Sequence, residues 1–206
     1  MKIGICGGTF DPFHRGHLET ILNVRDHMQW DRVIYIPAYR QPFKLDRNSA
    51  SSFHRYAMAV LATFDDDALH VSAMELERGE VSYTVDTLEI LRQTYATDTL
   101  DWIIGDDNMP QLLEWRAIDR IFELANFTVL SRGVRTAPAR PLAERVMDAD
   151  ARPAAGAIVF AENRTVPISS TEIRRRVREG EAIDELVDPR VSRYIHHHGL
   201  YEEGRS

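Results

Sequence analysis

The sequence predicts an α/β fold built on a mostly parallel central sheet. Short runs of β-branched and apolar residues alternate along the chain with longer segments whose apolar residues recur at helical spacing. The first strand pattern ends abruptly at the glycine pair Gly7-Gly8, shortly before the first helical pattern. Strands that alternate with helices in this way favour βαβ units, whose parallel strands bind ligands beyond their carboxyl ends.

In the N-terminal part of the chain, turn and cap residues mark where each element begins and ends. Lys2–Cys6 is a strand pattern that stops at the glycine pair, and the helical pattern Gly16–Met28 follows it. A second strand pattern, Arg32–Ile36, stops at a proline. After a polar loop, two adjacent serines are suitable caps for a helix over Phe53–Phe64.

The same alternation continues through the rest of the chain. The next elements in order are a strand over Leu69–Ala73, a helix over Val85–Tyr95, a strand over Leu100–Ile104, a helix over Ile118–Ala125 and strands over Phe127–Leu130 and Ala157–Phe160. Two helical patterns end the chain. Ser170–Arg178 opens on a run of cap residues, and Pro189–His198 closes at a glycine.

Length and composition favour a single folded domain. The chain has 206 residues, of which 44% are hydrophobic, with 9 prolines and 11 glycines. This supplies enough apolar surface for one core and is unlike the composition of disordered chains. We expect one domain over residues 1–206, in which 163–206 forms a C-terminal helical portion packed on the rest.

The charge balance and the single cysteine exclude several classes of protein. Lys and Arg number 25 and Asp and Glu 32, a net charge of −7 that disfavours nucleic acid or an anionic membrane as a partner. Cys6 cannot form an internal disulfide, and the sequence shows neither a signal-peptide pattern nor a membrane-spanning apolar run. We therefore expect a cytoplasmic protein with no nucleic-acid or membrane partner, and leave a homo-oligomer open.

The turn between the first strand and the first helix has the residues of a phosphate site. It reads Gly7-Gly8-Thr9-Phe10-Asp11-Pro12-Phe13-His14-Arg15-Gly16-His17. Backbone amides at a helix start favour an anion, although the glycine patterns of the dinucleotide fingerprint and the P-loop are absent. His14 and His17 can lie on one side of the helix start and donate to phosphate oxygens. Either histidine alone would more often be a surface or capping residue.

A second candidate anion site lies near the other end of the chain. The segment Ile168-Ser169-Ser170-Thr171-Glu172-Ile173-Arg174 places hydroxyls and free amides at a helix start, with an arginine one turn later. The two segments together resemble the motifs H-x-G-H and I-S-x-T-x-x-R of the H-x-G-H nucleotidyltransferase superfamily. The resemblance implies a Rossmann-like three-layer nucleotidyltransferase fold with a mostly parallel central sheet and C-terminal helices.

Three further segments make the chain similar to the bacterial nicotinate-nucleotide adenylyltransferases over nearly its whole length. They are Ser82-Tyr83-Thr84-Val85-Asp86-Thr87-Leu88, Ile103-Ile104-Gly105-Asp106-Asp107 with Leu112 and Trp115, and the ending from Tyr194-Ile195 to Gly199-Leu200-Tyr201. The Trp115 indole offers a face to an electron-poor nicotinate ring, and amides near Thr84 and just after Trp115 could bind its carboxylate. Without the resemblance, a core indole would be the preferred interpretation.

The resemblance implies adenylyl transfer from ATP to nicotinate mononucleotide, which gives deamido-NAD and pyrophosphate in NAD biosynthesis. The attacking phosphate is already charged, so the protein mainly positions the reactants and stabilises charge. The implied catalytic residues are His14, His17, Lys44 and Arg174; the implied ATP-binding residues are Gly7, Gly8, Thr9, Phe10, Gly105, Asp107, Ser169, Ser170 and Thr171; the implied mononucleotide-binding residues are Tyr83, Thr84, Trp115, Arg116 and Arg132. Mg²⁺ would be bound mainly through the ATP phosphates, with no metal ligand among the protein side chains.

One loop departs from the family pattern, and two alternative functions stay open at this stage. Where the family commonly has Asn and His after the second strand, this chain has Ala38 and Phe43, while Lys44 is retained. Arg40 is a candidate to replace some of the lost charge. The alternatives are an adenylyltransferase for nicotinamide mononucleotide or another phosphate monoester, and a non-catalytic nucleotide-binding module. The retained histidines, Lys44 and Arg174 disfavour the second.

Overall fold

A six-stranded parallel sheet forms the centre of the fold. The computed structural model describes residues 1–40, 49–131 and 140–202. Within these ranges the strands are β1 (Lys2–Gly8), β2 (Arg32–Pro37), β3 (Leu69–Val71), β4 (Thr99–Gly105), β5 (Asn126–Leu130) and β6 (Ile158–Ala161). Their order is β3-β2-β1-β4-β5-β6, and every adjacent pair is parallel. The strand order reverses between β1 and β4, and ligands of such sheets bind beyond the carboxyl ends at this point.

Helices connect the strands as the alternating pattern predicts. They are α1 (Arg15–Arg25), α2 (Ser52–Thr63), α3 (Met74–Arg78), α4 (Thr84–Thr94), α5 (Ile118–Leu124), α6 (Arg140–Ala143), α7 (Ser170–Arg178) and α8 (Pro189–His197), with 3₁₀ helices over Asp106–Glu114 and Ala149–Ala151. The predicted α/β class with a mostly parallel sheet is confirmed. The sequence did not predict α3 or the 3₁₀ helices, because such short elements hold too few turns to show a period. None of the described helices has the length and apolarity that crossing a membrane requires.

Both faces of the sheet are covered, so the strands are apolar throughout. In β2, Val33 and Tyr35 belong to one hydrophobic cluster, and Ile34 and Ile36 belong to the other. Successive side chains of a strand point to opposite faces, and a strand buried on both faces therefore has no polar alternation. The continuous run that predicted this strand has its cause in this three-layer arrangement.

The C-terminal helices share a core with the N-terminal ones. Ile173 of α7 and Ile195 of α8 are fully buried in the same cluster as Val24 of α1 and Met58 of α2. Ser51 caps α2 by accepting a hydrogen bond from the His54 amide at 3.3 Å, as the sequence predicts. The single domain over 1–206, with 163–206 as its helical portion, stays a prediction that this shared cluster supports.

Candidate functional site

The two sequence-distant motifs meet beyond the carboxyl end of β1. The Ser170 hydroxyl donates to the Pro12 carbonyl at 3.1 Å, and Nη1 of Arg174 donates to the Asp11 carbonyl at 2.7 Å. The same Arg174 nitrogen lies 3.8 Å from a carboxylate oxygen of Asp11. The structure therefore brings the two predicted anion sites together at the start of α1 and α7.

The two histidines form a stacked pair at the start of α1. His14 is the buried N-cap residue, and its ring centroid lies 3.6 Å from that of His17 with 19° between the ring planes. The His14 amide donates to Nδ1 of His17 at 3.3 Å. Because Nδ1 accepts this bond, a neutral His17 carries its ring proton on Nε2. That nitrogen is then the one able to donate to a phosphate oxygen.

Glycine is required at two positions of the first motif by the side chains beside them. A Cβ added to Gly16 would lie 3.0 Å from two ring atoms of His14, and one added to Gly8 would lie 2.9 Å from the Phe10 ring. Phe10 itself has a φ of 52°, in the left-handed region that non-glycine residues rarely adopt. Each of these two glycines therefore leaves room for a neighbouring ring of the same motif.

The predicted ATP-binding residues follow the ends of β1 and β4 and begin α7. Gly7 and Gly8 end β1, Thr9 and Phe10 follow, Gly105 ends β4, Asp107 lies in the first turn of the adjacent 3₁₀ helix, and Ser169, Ser170 and Thr171 begin α7. The Ser169 side chain caps that helix by accepting from the Glu172 amide at 3.2 Å. Asp107 is exposed and accepts from Nδ2 of Asn108 at 3.2 Å. Among the described residues, the buried Thr9 hydroxyl has no hydrogen-bond partner.

The predicted mononucleotide-binding residues lie at the start of α4 and around the end of the longer 3₁₀ helix. Tyr83 is the N-cap of α4 and Thr84 its first residue. The guanidinium carbon of Arg116 lies 4.7 Å from the Tyr83 ring centroid, and its Nη1 lies 3.6 Å from the Asp86 carboxylate. Trp115 is half-buried and meets Phe127 edge to face, with 5.9 Å between ring centroids. Tyr83 and Arg116 are thus brought together.

The loop after β2 is described only at its two ends. Lys44 and Arg132, both predicted site residues, and Phe43 lie outside the described residues. Ala38 is buried, and its amide donates to the Gly8 carbonyl at 2.8 Å. The Arg40 side chain is exposed, so its proposed role in replacing lost charge stays a hypothesis. The loop therefore begins in contact with Gly8, at the end of β1.

Sequence reasoning missed the contacts that hold Asp11. Its buried carboxylate accepts from the Tyr201 hydroxyl at 2.6 Å and from the Ala50 amide at 3.1 Å through the same oxygen. Burial, together with the neighbouring Asp11 charge, raises the pKa of Tyr201 well above its ordinary value. The Gly-Leu-Tyr ending, which entered only through the family resemblance, thus holds the first motif in place.

A buried arginine and a buried glutamate were also missed. Arg55 of α2 is buried, and its guanidinium donates to the Thr9 carbonyl in the glycine turn, the segment that follows β1. Its spacing was the available signal, since it shares the apolar helix face with Met58, Ala59 and Ala62. Glu75 of α3 accepts from the Thr87 hydroxyl at 2.6 Å. Burial raises the pKa of Glu75, while hydrogen bonds from Ser82 and Thr87 oppose that rise.

Comparison with known proteins gives matches over almost the whole chain. Residues 5–176 match the family model described as Cytidylyltransferase-like. A relative from Roseiflexus sp. is 39% identical over 199 residues, which span 97% of this chain and 97% of the relative. A relative from Thermus thermophilus is 38% identical over 201 residues, spanning 98% of this chain and 100% of the relative. Both relatives carry the name "Probable nicotinate-nucleotide adenylyltransferase".

A solved structure has the same fold. Plasmodium falciparum nicotinic acid mononucleotide adenylyltransferase complexed with NaAD superposes with a TM-score of 0.72 over 97% of this chain and 97% of that chain. The two sequences are 18% identical, so this likeness concerns the fold alone. It confirms the predicted Rossmann-like three-layer fold with a parallel central sheet and C-terminal helices.

Proposed function

The chain belongs to the nicotinate-nucleotide adenylyltransferase family, and on that premise we propose that it transfers the adenylyl group of ATP to nicotinate mononucleotide. The products are deamido-NAD and pyrophosphate, as a step of NAD biosynthesis. The observation that carries the proposal is the meeting of the two anion-binding motifs at one point of the sheet edge, through Ser170 and Arg174. One triphosphate can then contact the starts of α1 and α7 together.

The chemistry is an in-line displacement at the α-phosphorus of ATP. A phosphate oxygen of the mononucleotide forms the new P–O bond, and the bond from the α-phosphorus to the bridging oxygen breaks as pyrophosphate leaves with its electron pair. Because the nucleophile is an anion, the reaction needs no strong general base. We assign to His14 and His17 the stabilisation of charge on the transferred phosphate, with Nε2 of His17 as a donor.

The start of α7 completes the phosphate side of the site. Its free amides at Ser169, Ser170 and Thr171 and the helix dipole favour the anionic oxygens of the triphosphate. Arg174 adds a permanent positive charge one turn into the same helix, and Lys44 is the remaining cation that we assign to the leaving pyrophosphate. Gly7, Gly8, Thr9 and Phe10 would contact ATP through their backbone, and Gly105 and Asp107 would contact it from the end of β4.

We infer that Mg²⁺ accompanies ATP and is held through its phosphates. Carboxylates near this edge of the sheet already have protein partners, since Asp11 accepts from Tyr201 and Asp106 accepts from the Ser131 hydroxyl at 3.4 Å. This fits an ion whose other ligands are mostly water. Bound in this way, Mg²⁺ would supply further positive charge at the leaving pyrophosphate.

The nicotinate side is assigned to the segment at the start of α4 and to the residues after the longer 3₁₀ helix. Amides at the start of α4, near Thr84, can donate to the nicotinate carboxylate, and the half-buried Trp115 offers a face to the ring. Tyr83 and Arg116, which are stacked on each other, border this region, and Arg132 is the further cation that we assign to it. The nicotinate carboxylate therefore has hydrogen-bond donors in this region, and the neutral carboxamide of nicotinamide would accept weaker hydrogen bonds from them.

Steady-state kinetics with the acid and the amide mononucleotide test the proposal. With saturating ATP and Mg²⁺, we expect kcat/KM for nicotinate mononucleotide to exceed that for nicotinamide mononucleotide by roughly tenfold or more, since a hydrogen bond to a charged group contributes about 1.5–3 kcal/mol. Chromatography of the dinucleotide and release of pyrophosphate measure the rates. An equal or higher kcat/KM for the amide would overturn the acid preference, and no dinucleotide from either substrate would overturn the reaction.

The setting of the enzyme is also a proposal. We infer a cytoplasmic enzyme without nucleic-acid or membrane partners from the acidic net charge of −7 and the single cysteine. A homo-oligomer stays open, and ATP and nicotinate mononucleotide are the partners that the family membership supports.

A further inference from the structure

We propose that Arg55 is a positioning residue, which ties the glycine turn of the ATP site to both flanks of the loop that follows β2. This inference deepens the proposed function and rests on it. The group acts through backbone carbonyls and is distinct from the residues that we assign to the substrates. The buried guanidinium fixes the position of the glycine turn relative to the two flanks of that loop.

The contacts of Arg55 use all three guanidinium nitrogens on four carbonyl oxygens. The residue is 4% exposed. Nη1 donates to Thr9 at 2.5 Å, Nη2 donates to Ala38 at 2.6 Å and to Tyr39 at 3.3 Å, and Nε donates to Ala50 at 3.2 Å. These four carbonyls belong to three separate stretches of chain, so one planar group fixes all three relative to α2.

The contact with Thr9 sets the direction of an amide in the glycine turn. In a trans peptide the carbonyl and the following N–H point in opposite directions, so the Phe10 N–H is aimed away from Arg55. Phe10 adopts a left-handed φ of 52°, a conformation that is unfavourable for a non-glycine residue. A buried donor on the Thr9 carbonyl offsets part of that cost and holds the amide in one orientation.

The other contacts hold the base of the loop that follows β2. Ala38 and Tyr39 precede residues 41–48, Ala50 follows them, and Lys44 lies between in the sequence. The flanks are also fixed from outside this loop. The Ala50 amide donates to the Asp11 carboxylate at 3.1 Å.

The same loop base is joined to the mononucleotide side of the site. The Tyr39 amide donates to the Ser82 hydroxyl at 3.2 Å, and the Ser82 amide donates to the Arg40 carbonyl at 2.9 Å. Ser82 directly precedes Tyr83 and Thr84, which we assign to the nicotinate side of the site. Arg55 therefore contacts the glycine turn directly, through Thr9, and is connected to the segment before α4 through Tyr39 and Ser82.

The chemistry of the group favours positioning over a purely structural role. A buried cation costs stability, and an apolar residue would pack with less cost on a helix face that also carries Met58 and Ala59. Within the described part of the chain, its hydrogen bonds all go to backbone carbonyls and none goes to a carboxylate, and the charges of Asp11 and Glu75 act on it from a longer distance. Lysine keeps the charge but lacks the planar fork that reaches carbonyls on several sides.

The test compares Arg55→Lys with a matched control, Arg92→Lys. Arg92 also donates only to backbone carbonyls in its described contacts, at Leu124, Tyr95 and Asp98. These carbonyls lie just before β4 and β5, at the opposite edge of the sheet from the site. Both substitutions remove a guanidinium fork, so both are expected to lower the thermal midpoint.

The kinetic result separates the two variants. For Arg55→Lys we expect kcat to fall by about 10²-fold and the KM for both substrates to rise, because small displacements of positioned reactants are costly. Arg92→Lys should keep kcat and both KM values near those of the unsubstituted protein. Addition of millimolar guanidinium chloride should partly restore kcat to Arg55→Ala and leave Arg92→Ala unchanged.

The outcomes that overturn the proposal are distinct from those that overturn the function. If Arg55→Lys keeps kcat and both KM values while its thermal midpoint falls as in Arg92→Lys, then Arg55 is a structural residue only. If guanidinium restores no activity to a folded Arg55→Ala variant, the positioning role also fails. The unsubstituted protein is assayed in the same series, and its turnover of nicotinate mononucleotide decides the proposed function independently of either variant.

Discussion

At the scale of single residues, the geometry of the histidine pair depends on the absence of a side chain at Gly16. Gly16 stands between the two histidines because a Cβ there would lie 3.0 Å from Nδ1 and Cε1 of His14 and 3.4 Å from Cβ of Ile168. It also lies in the first turn of α1, where glycine is a poor helix former. The geometry of the imidazole pair is therefore maintained at a cost in local helix stability.

This conflict predicts opposite effects of Gly16→Ala on helix propensity and on activity. Alanine favours the helix by about 1 kcal/mol over glycine, but its methyl group must displace the His14 ring. We expect kcat to fall by about tenfold or more while the thermal midpoint changes little. Steady-state rates and a thermal melt measure the two quantities. Asn23→Ala, on the exposed side of the same helix, is the control and should leave kcat unchanged.

At the scale of elements, a short helix supports the segment assigned to the nicotinate ring. Helix α3 places Glu75 in a buried position, where its carboxylate accepts from the Thr87 hydroxyl of α4. Ser82, just before α4, also donates to it. The carboxylate of Glu75 therefore holds both Ser82 and Thr87, which lie on either side of the start of α4. Glu75 was not among the predicted site residues.

The direction of the pKa shift of Glu75 predicts a pH-dependent effect of Glu75→Gln. Burial raises the pKa of Glu75 in the folded protein above its ordinary value of 4.5. The folded state then binds the proton of Glu75 more tightly than the unfolded state does. The stability that this tighter binding contributes is fully present below pH 4.5 and is lost as the pH rises through the pKa of the folded state. The free energy of unfolding of Glu75→Gln, relative to the unsubstituted protein, should therefore increase as the pH rises above the ordinary value of 4.5.

Urea unfolding followed by circular dichroism at several pH values measures this difference. Glu77→Gln on the same helix is the control, because Glu77 is exposed and its substitution removes the same formal charge from the surface of the helix. A relative stability of Glu75→Gln that is constant or falls as pH rises would contradict the predicted direction.

At the scale of the whole molecule, stability and chemistry occupy opposite edges of the sheet. Near the amino ends of β4 and β5, the fully buried Asp101 carboxylate accepts from Trp30 at 2.6 Å, from Asn126 at 3.1 Å and from Arg152 at 3.0 Å. Arg152 also donates to the Met28 carbonyl at 2.5 Å. This cluster joins the segment between α1 and β2, the sheet and the segment before β6, far along the strands from the histidine pair.

The separation predicts that Arg152→Met lowers stability and spares catalysis. Removal of one partner leaves a buried carboxylate without its countercharge, which costs about 3–5 kcal/mol in the free energy of unfolding. The values of kcat and KM should stay near those of the unsubstituted protein at a temperature where the variant is folded. Denaturant unfolding and steady-state kinetics check both expectations.

An exposed ion pair provides the contrast for this prediction. Arg120 contacts Glu89 at 2.7 Å, with nearly half of each side chain exposed. Arg120→Met should therefore lower the free energy of unfolding by much less than Arg152→Met does, because water and salt screen an exposed pair. A loss for Arg152→Met no larger than that for Arg120→Met would refute the assigned weight of the buried pair.

Local patterns were sufficient for the larger elements and for the two motifs. The strands of the sheet are buried on both faces, so their apolar runs are visible without any partner, and the longer helices show their period. The histidine pair and the start of α7 are each contained in a few consecutive residues. Short elements such as α3 left no pattern, and the roles assigned to Lys44 and Arg132 stay predictions because both lie outside the described residues.

By itself the sequence determined the α/β class, the two anion-binding motifs and the family to which they belong, because each of these depends on residues that lie close together in the sequence. The tertiary structure alone decided how those motifs meet and which buried charges hold them. Arg55 reaches Thr9 across 46 positions, and Trp30 reaches Asp101 across 71. The partner of a buried polar group depends on which segments the packed core brings within hydrogen-bond distance, and that choice leaves no trace in the neighbouring residues.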